Sequence, residues 1–326
     1  MNKSTNMSTA QKMLDNRYAI QTDIDSGVSA KVYVVLDTYS GETKAAKIYS
    51  DNARIDFQKE IQIYQILQKV NLPGNIRCYS YGEGYLTQNE ISEKKMFAIL
   101  EYGDHGNLLK RIFKRKNGFS EDVCKFILLK ILDAVEALHN QGLCHRDIKP
   151  ENIVLTGDNY DLKLIDFGVA TTFINSKNKK KKLNRKVGTP YYAAPEILER
   201  RQYEGDKVDI FSIGALLFVL MTRKFAFAKA KIINDAPNSK KILYGLIKDK
   251  NYDKYWENLD TYFVIKNVPE EFKNLFVKMV AYNPEERPSI NEIRNDAWMS
   301  DVNNANEEKL TQLREKMIEE FLDEQL

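Results

Sequence analysis

At 326 residues, with 43% apolar and 29% charged side chains, the chain is long enough for two lobes, each with its own core. The formal net charge is +3, but Lys177 to Lys186 alone carries seven cations, so the remainder is net acidic and a nucleic-acid-binding face is not indicated for the chain as a whole. Three cysteines, Cys78, Cys124 and Cys144, lack metal-ligand spacing and leave an odd thiol, which argues against zinc chemistry and a disulfide scaffold and for a reducing compartment.

Residues 1 to about 16 are polar and without period, and are expected to form a disordered leader; Met1 to Thr9 lacks an apolar signal core, and Asn2 excludes the myristoylation pattern. Short alternating runs follow, Lys31 to Leu36 and Lys44 to Tyr49, separated at Ser40-Gly41, and predict antiparallel strands. Ala45 and Lys47 are two apart and share a face, so a small residue leaves room for a flat ring while an ammonium reaches a phosphate. A helix is predicted from Ile55 to Val70 with Phe57, Ile61, Tyr64 and Leu67 on one stripe. Glu60 falls within that stripe, and an inward carboxylate requires a cation, for which Lys47 is the natural partner.

The apolar run Met96 to Leu100 predicts a strand leading into Glu101-Tyr102-Gly103. Ser120 is placed to cap a long helix with Glu121 and Asp122 in its first turn, buried through Phe126, Leu129, Leu132, Val135 and Leu138 and ended by Asn140-Gln141-Gly142. That helix delivers the chain to His145-Arg146-Asp147-Ile148-Lys149-Pro150-Glu151-Asn152, followed by a strand at Ile153 to Leu155 and a second apolar run ending in Ile165-Asp166-Phe167-Gly168. A carboxylate, an ammonium and an amide within six residues, and a second carboxylate beyond, suit phosphoryl transfer. Asn152 and Asp166 are hard-oxygen ligands for magnesium, and Asp147 can orient an acceptor hydroxyl. Further on, Val208 to Met221 is the most apolar run; it is too short to span a bilayer, contains Asp209 and Ser212, and predicts a buried helix.

These two stretches resemble the catalytic and metal-binding loops of eukaryotic-type protein kinases, and the resemblance extends from Tyr18 to about Ser300. It implies an α+β, bilobal fold: a small, mostly antiparallel β lobe with one key helix over residues 17–102, and a larger, mainly helical lobe over 103–300. It implies ATP and Mg2+ as cofactors, with Lys47 on the α- and β-phosphates, paired to Glu60. Val32 and Ala45 would lie over adenine and Val154 beneath it, Leu100 would stand behind the purine, and the backbone at Glu101 and Gly103 would hydrogen-bond it. Asp147, Lys149 and Asn152 become the catalytic group, and Asn152 and Asp166 the metal ligands. Where kinases carry three glycines over the phosphates, this chain keeps Gly27 and has Asp25 and Ala30 at the other two positions, which implies a stiffer loop with a carboxylate near phosphate oxygens. In Gly188-Thr189-Pro190-Tyr191-Tyr192-Ala193-Ala194-Pro195-Glu196, Thr189 would bridge Asp147 and Lys149, and Glu196 would pair with Arg287; Asp209 would hold the catalytic-loop backbone.

Lys149 and Gly188-Thr189 resemble the serine/threonine class, closest in general character to the calcium/calmodulin-dependent-kinase-like group. No calcium-binding loop pattern occurs, and with Asn107 neutral and Val219 at another recognition position, Glu151 alone remains to favour basic residues upstream of the target. Arg146 would bind an activating phosphate in such kinases, but Arg185 occupies the usual acceptor position, so this chain is expected not to use that phosphate; Ser176, Thr171 and Thr172 are poor substitutes. The lysine run reads as a solvated insertion, with acidic-substrate docking and nuclear targeting as alternatives. An amphipathic helix is expected over 306–326, within a final segment 301–326, with Leu310, Leu313, Met317 and Phe321 on one face; it either packs on the large lobe or regulates it intramolecularly. The functional expectation is an ATP-dependent kinase acting on protein Ser/Thr hydroxyls, with no nucleic-acid or membrane partner, in the cytoplasm or nucleus. A kinase-fold scaffold with little activity is the runner-up, because of the degenerate glycine loop.

Overall fold

The computed structural model describes residues 11–175, 177, 179–227, 239–263 and 268–323. They divide into two compact units, the first running to Asn71 and resuming at Ile76–Asp104, the second comprising Leu72–Asn75 and the chain from His105 onward.

In the first unit β1 (Met13–Leu14), β2 (Tyr18–Ser26), β3 (Ala30–Asp37), β4 (Thr43–Tyr49), β5 (Cys78–Gln88) and β6 (Ile91–Leu100) form a closed antiparallel barrel in the order β1-β2-β3-β4-β6-β5. Its interior is Leu14, Tyr18, Tyr33, Val35, Ala46, Ile48, Phe97 and Ile99. Because side chains alternate along a strand, the burial of Ala46 and Ile48 inside turns Ala45 and Lys47 to the opposite face. The expected leader therefore ends too late: Met13 pairs with both Ala19 and Thr87, and Leu14 is wholly buried. Two residues are too short to display a period, so this strand left no pattern in the sequence. Residues 1–10 of the leader lie outside the described residues. Between β4 and β5, α1 (Arg54–Val70) buries Glu60, Ile61, Ile63, Tyr64 and Leu67 and ends on left-handed Asn71.

The second unit is built around α3 (Glu121–Asn140) and α5 (Gly205–Thr222), with α2 (Leu108–Lys114), α4 (Pro195–Leu198), α6 (Ser239–Lys248), α7 (Tyr252–Phe263), α8 (Glu270–Met279), α9 (Ile290–Arg294), α10 (Ser300–Asn303) and α11 (Glu307–Leu322). Helix α5 is buried on every side from Val208 to Leu220, so its apolar run is that of a core helix. Among the described residues no helix is long and apolar enough to cross a membrane. Two short ribbons, β7 (Leu143–Cys144) with β10 (Thr171–Thr172) and β8 (Ile153–Thr156) with β9 (Asp161–Leu164), hold the loops between them. Leu72–Asn75 joins this unit because Gly74 accepts from the Leu164 amide and the Asn75 amide group donates to the Ala134 carbonyl at 3.0 Å.

One end-of-helix expectation is corrected. Ser120 is the N-cap residue of α3, but its hydroxyl makes no capping bond; instead its amide donates to Glu320 at 3.0 Å. Helix α11, capped by Asn306, belongs to the second unit rather than forming a segment apart: Leu313, Met317 and Phe321 are buried, Leu310 is half-buried, and Arg115 donates to the Glu320 carbonyl at 2.8 Å. Residues 324–326 of the expected helix lie outside the described residues.

Candidate active site

In the first unit, α1 presents Glu60 to β4. The Lys47 ammonium lies 2.7 and 2.9 Å from the two Glu60 oxygens, and the Glu60 side chain is only 2% exposed. A carboxylate so buried is tolerable only with its lone pairs filled, and two hydroxyls complete the set. Tyr49 donates to Oε2 and Tyr64 to Oε1, each at 2.9 Å. Neither was singled out by sequence as a site residue, although Tyr49 lies two positions beyond Lys47 on one strand face and Tyr64 one helical turn beyond Glu60. Val32 faces Lys47 in register and Ala45 faces Leu100. The Gly27 amide closes the turn by donating to the Ala30 carbonyl at 2.9 Å, while Asp25 accepts from the Ser26 amide at 2.8 Å. Gly27 has no left-handed backbone here, and a side chain would meet only ordinary contacts. Glu101 bonds the Arg77 carbonyl through its amide at 2.9 Å and accepts from the Arg77 amide at 3.2 Å, which fixes the exit of β6 just before Gly103.

In the second unit the loop from His145 to Asn152 is fixed from beneath. Asp209, wholly buried on α5, accepts from the His145 and Arg146 amides at 2.9 and 2.7 Å and from His139 at 2.9 Å. His145 donates through Nε2 to the Ile165 carbonyl at 2.9 Å and accepts at Nδ1 from the Asp147 amide at 3.2 Å, so it ties the two loops together. The backbone is left-handed at Arg146 and at Asp166, with φ of 67° and 61°. Such conformations cost about 1–3 kcal/mol each and persist where the surroundings enforce them.

Asp147, Lys149 and Asn152 converge on one point. Lys149 lies 2.7 Å from Asp147 Oδ2 and 2.7 Å from the Thr189 hydroxyl, and the Thr189 amide donates to Asp147 Oδ1 at 2.7 Å. Asn152 donates through Nδ2 to the Asp147 carbonyl at 2.9 Å and to Oδ2 at 3.2 Å. Its Oδ1 is thus the end left to a cation, and the Ile165 amide donates to the Asn152 carbonyl at 2.9 Å, which carries Asp166 to the same loop. One amide-group oxygen and one carboxylate are hard donors of the kind magnesium takes when substrate phosphates supply the rest. Val154 is half-buried on β8, bridged to Asn107. Gly188 is left-handed at φ 85°, and a Cβ there would fall 2.5 Å from the Arg146 carbonyl, so only glycine lets Thr189 approach the loop. Below, Glu196 and Arg287 form a buried two-pronged pair at 2.6 and 2.8 Å. Burial raises the Tyr192 hydroxyl far above its usual range, so it stays protonated beside Glu151 and Asp147.

Comparison with known proteins gives one family over most of the chain: residues 18–299 match the protein kinase domain. The chain belongs to the protein kinase family. CBL-interacting protein kinase 26 of Oryza sativa is 31% identical over 91% of this chain and 55% of its own length. SNF-related serine/threonine-protein kinase of Homo sapiens is 30% identical over 87% of this chain and 34% of its own length, and CBL-interacting serine/threonine-protein kinase 2 of Arabidopsis thaliana is 28% identical over 90% and 58%. The chain therefore spans about a third to three-fifths of these relatives, all of them kinases by name. Within this kinase domain sequence reasoning missed His139, whose only signal was its position one helix turn from the catalytic loop, and Tyr203, which contacts Arg146.

Proposed function

We propose that the chain transfers the γ-phosphoryl group of ATP to a serine or threonine hydroxyl of a protein. The observation that carries this reading is the arrangement at Asp147: one carboxylate oxygen receives Lys149 and Asn152, the other the Thr189 amide. A carboxylate held this way accepts an incoming hydroxyl in a fixed direction, and Lys149 supplies positive charge where the phosphoryl group moves. Asn152 and Asp166 would hold magnesium, which would neutralise phosphate charge. In the first unit Lys47, aligned by Glu60, would hold the α- and β-phosphates, and Gly27, Val32, Ala45, Glu101 and Gly103 are that unit's proposed nucleotide contacts; in the second unit Val154 is proposed as a nucleotide contact. Thr189 bridging Asp147 and Lys149 favours hydroxyls of Ser and Thr.

Three free, buried cysteines support a reducing compartment, the cytoplasm with the nucleus as alternative. Burial raises the thiols, Cys78 to about 12, so none is a ready nucleophile. Helix α11, buried along Leu313, Met317 and Phe321, is proposed as a packing element; truncation before Asn306 should lower the melting temperature and leave turnover unchanged. The deciding experiment is phosphate transfer from radiolabelled ATP with magnesium to a serine/threonine peptide library, comparing wild type with Asp166→Ala. Signal lost in the variant is the expected result, and equal signals would remove the enzyme reading.

A further inference from the structure

The guanidinium of Arg146, next to the proposed catalytic carboxylate, is buried and already occupied. Its Nε donates to the Val169 carbonyl at 2.8 Å, its Nη2 contacts the same oxygen, and Nη1 donates to the Tyr203 hydroxyl at 3.0 Å. That hydroxyl in turn donates to the Arg185 carbonyl at 2.7 Å, and Tyr203 is 1% exposed. A single phenol thus joins the loop before Asp147 to the backbone of the position where an activating phosphate would otherwise be carried.

The surrounding chain is tied in the same direction. Leu183 and Tyr203 exchange both backbone hydrogen bonds, at 2.8 and 2.9 Å, and the Lys181 amide donates to the Phe173 carbonyl at 2.8 Å. At the start of α5, Lys180 lies 2.6 Å from Asp206 and Lys182 2.7 Å from Glu204. The two acids are 17–20% exposed and sit at a helix N-terminus, which suits negative charge, while the lysines are about half exposed. Individually such pairs are weak, but here they flank a backbone bridge that fixes their geometry. Thr172, one of the few hydroxyls ahead of this stretch, accepts from Lys181 at 3.0 Å within its strand. Ser176 lies outside the described residues.

We propose that the substrate-seating segment of this chain is set in its working position without a phosphate, Tyr203 serving as the positioning residue for Arg146 and the catalytic loop while Glu204 and Asp206 hold the lysine-rich segment. The inference rests on the kinase reading. The alternative use of the lysines, docking an acidic substrate, leaves Lys180 and Lys182 free for the substrate, whereas here both are committed within the chain.

The test uses the full chain, produced with a phosphatase and shown by intact mass to carry no phosphate. Its kcat should lie within about twofold of protein preincubated with Mg-ATP. Tyr203→Phe, which keeps the ring and removes the hydroxyl, should lower kcat about tenfold, as displacement of a catalytic loop does, with KM for ATP unchanged. A lowered kcat at unchanged KM for ATP and unchanged melting temperature is the split that a purely structural tyrosine would not show. If Tyr203→Phe does not fold, Glu204→Gln with Asp206→Asn carries the same comparison of kcat against KM. Activity that appears only after phosphorylation overturns the inference, as does a wild-type kcat in every variant. No transfer by the wild type in any state, matching Asp166→Ala, would instead sink the kinase reading itself.

Discussion

Two stretches of the second unit, the loop from His145 to Asn152, whose charges balance, and the basic segment from Lys179 to Lys186, are both polar, yet they are held by opposite means. The first rests on a buried carboxylate: Asp209 is wholly inaccessible and takes three donors, and Asn152 is itself buried. The second rests on half-exposed lysines reaching two partly exposed acids, with two backbone bridges, at Lys180 and Leu183, and one phenol hydroxyl beneath them. Burial makes the difference, because a desolvated charge is held by whatever satisfies it, whereas an exposed pair is screened by salt. The catalytic loop is thereby fixed to the core, whereas the lysine segment is held at the surface by contacts that salt can screen.

The largest effect expected is on chemistry. Asp147→Asn keeps the shape of the loop and removes the carboxylate, and should lower kcat by about 10²- to 10⁴-fold at nearly unchanged melting temperature. Next comes the anchor. Asp209→Ala strands the His145 and Arg146 amides and His139, and should cost about 3–5 kcal/mol in denaturant unfolding, with kcat falling as well.

A buried carboxylate in the first unit extends the same logic to pH. The Arg17 guanidinium, bonded at 2.8 Å to each oxygen of Asp37, holds that carboxyl well below the usual range, helped by Lys44. A carboxylate with its pKa depressed by folding contributes stability above its unfolded value, about 3.9, and loses it as pH falls toward the folded one. Asp37→Asn should therefore melt earlier than wild type at neutral pH, with the gap constant down to about pH 4 and closing below it. A gap that widens on acidification would contradict this. The smallest effect belongs to an exposed carboxylate: Asp25→Gly should lower KM for ATP by about two- to fivefold, the modest return expected from loosening one loop residue.

Much of this was legible in the chain because its parts carry local signals. Helix α1 from Arg54 to Val70, α3 with its end at Asn140, and α11 with Leu313, Met317 and Phe321 inward all follow from apolar period. The ion pair of Lys47 with Glu60 follows from a carboxylate in an apolar stripe. What escaped is non-local or too short. Met13–Leu14 closes the barrel with only two residues. The Ser120 amide is answered from 200 positions away by Glu320, which no local capping rule anticipates. Tyr203 looks like an ordinary apolar residue ahead of a helix; its role exists only once Arg146, Val169 and Arg185 are brought around it. Arg185 puts a cation where an acceptor hydroxyl would stand, but the fold turns its carbonyl to the Tyr203 hydroxyl and leaves its side chain exposed.

The most direct measurement of the contrast is amide hydrogen exchange on the phosphate-free protein, read at His145 and Arg146 in the loop and at Leu183 and Tyr203 in the bridge. All four amides are hydrogen-bonded and should be protected at low salt. Raising the salt to about 1 M, where the screening length is about 3 Å, should erode protection at Leu183 and Tyr203 and leave His145 and Arg146 unchanged. Leu183 and Tyr203 exchanging at unprotected rates without phosphate, at low salt, would contradict the account.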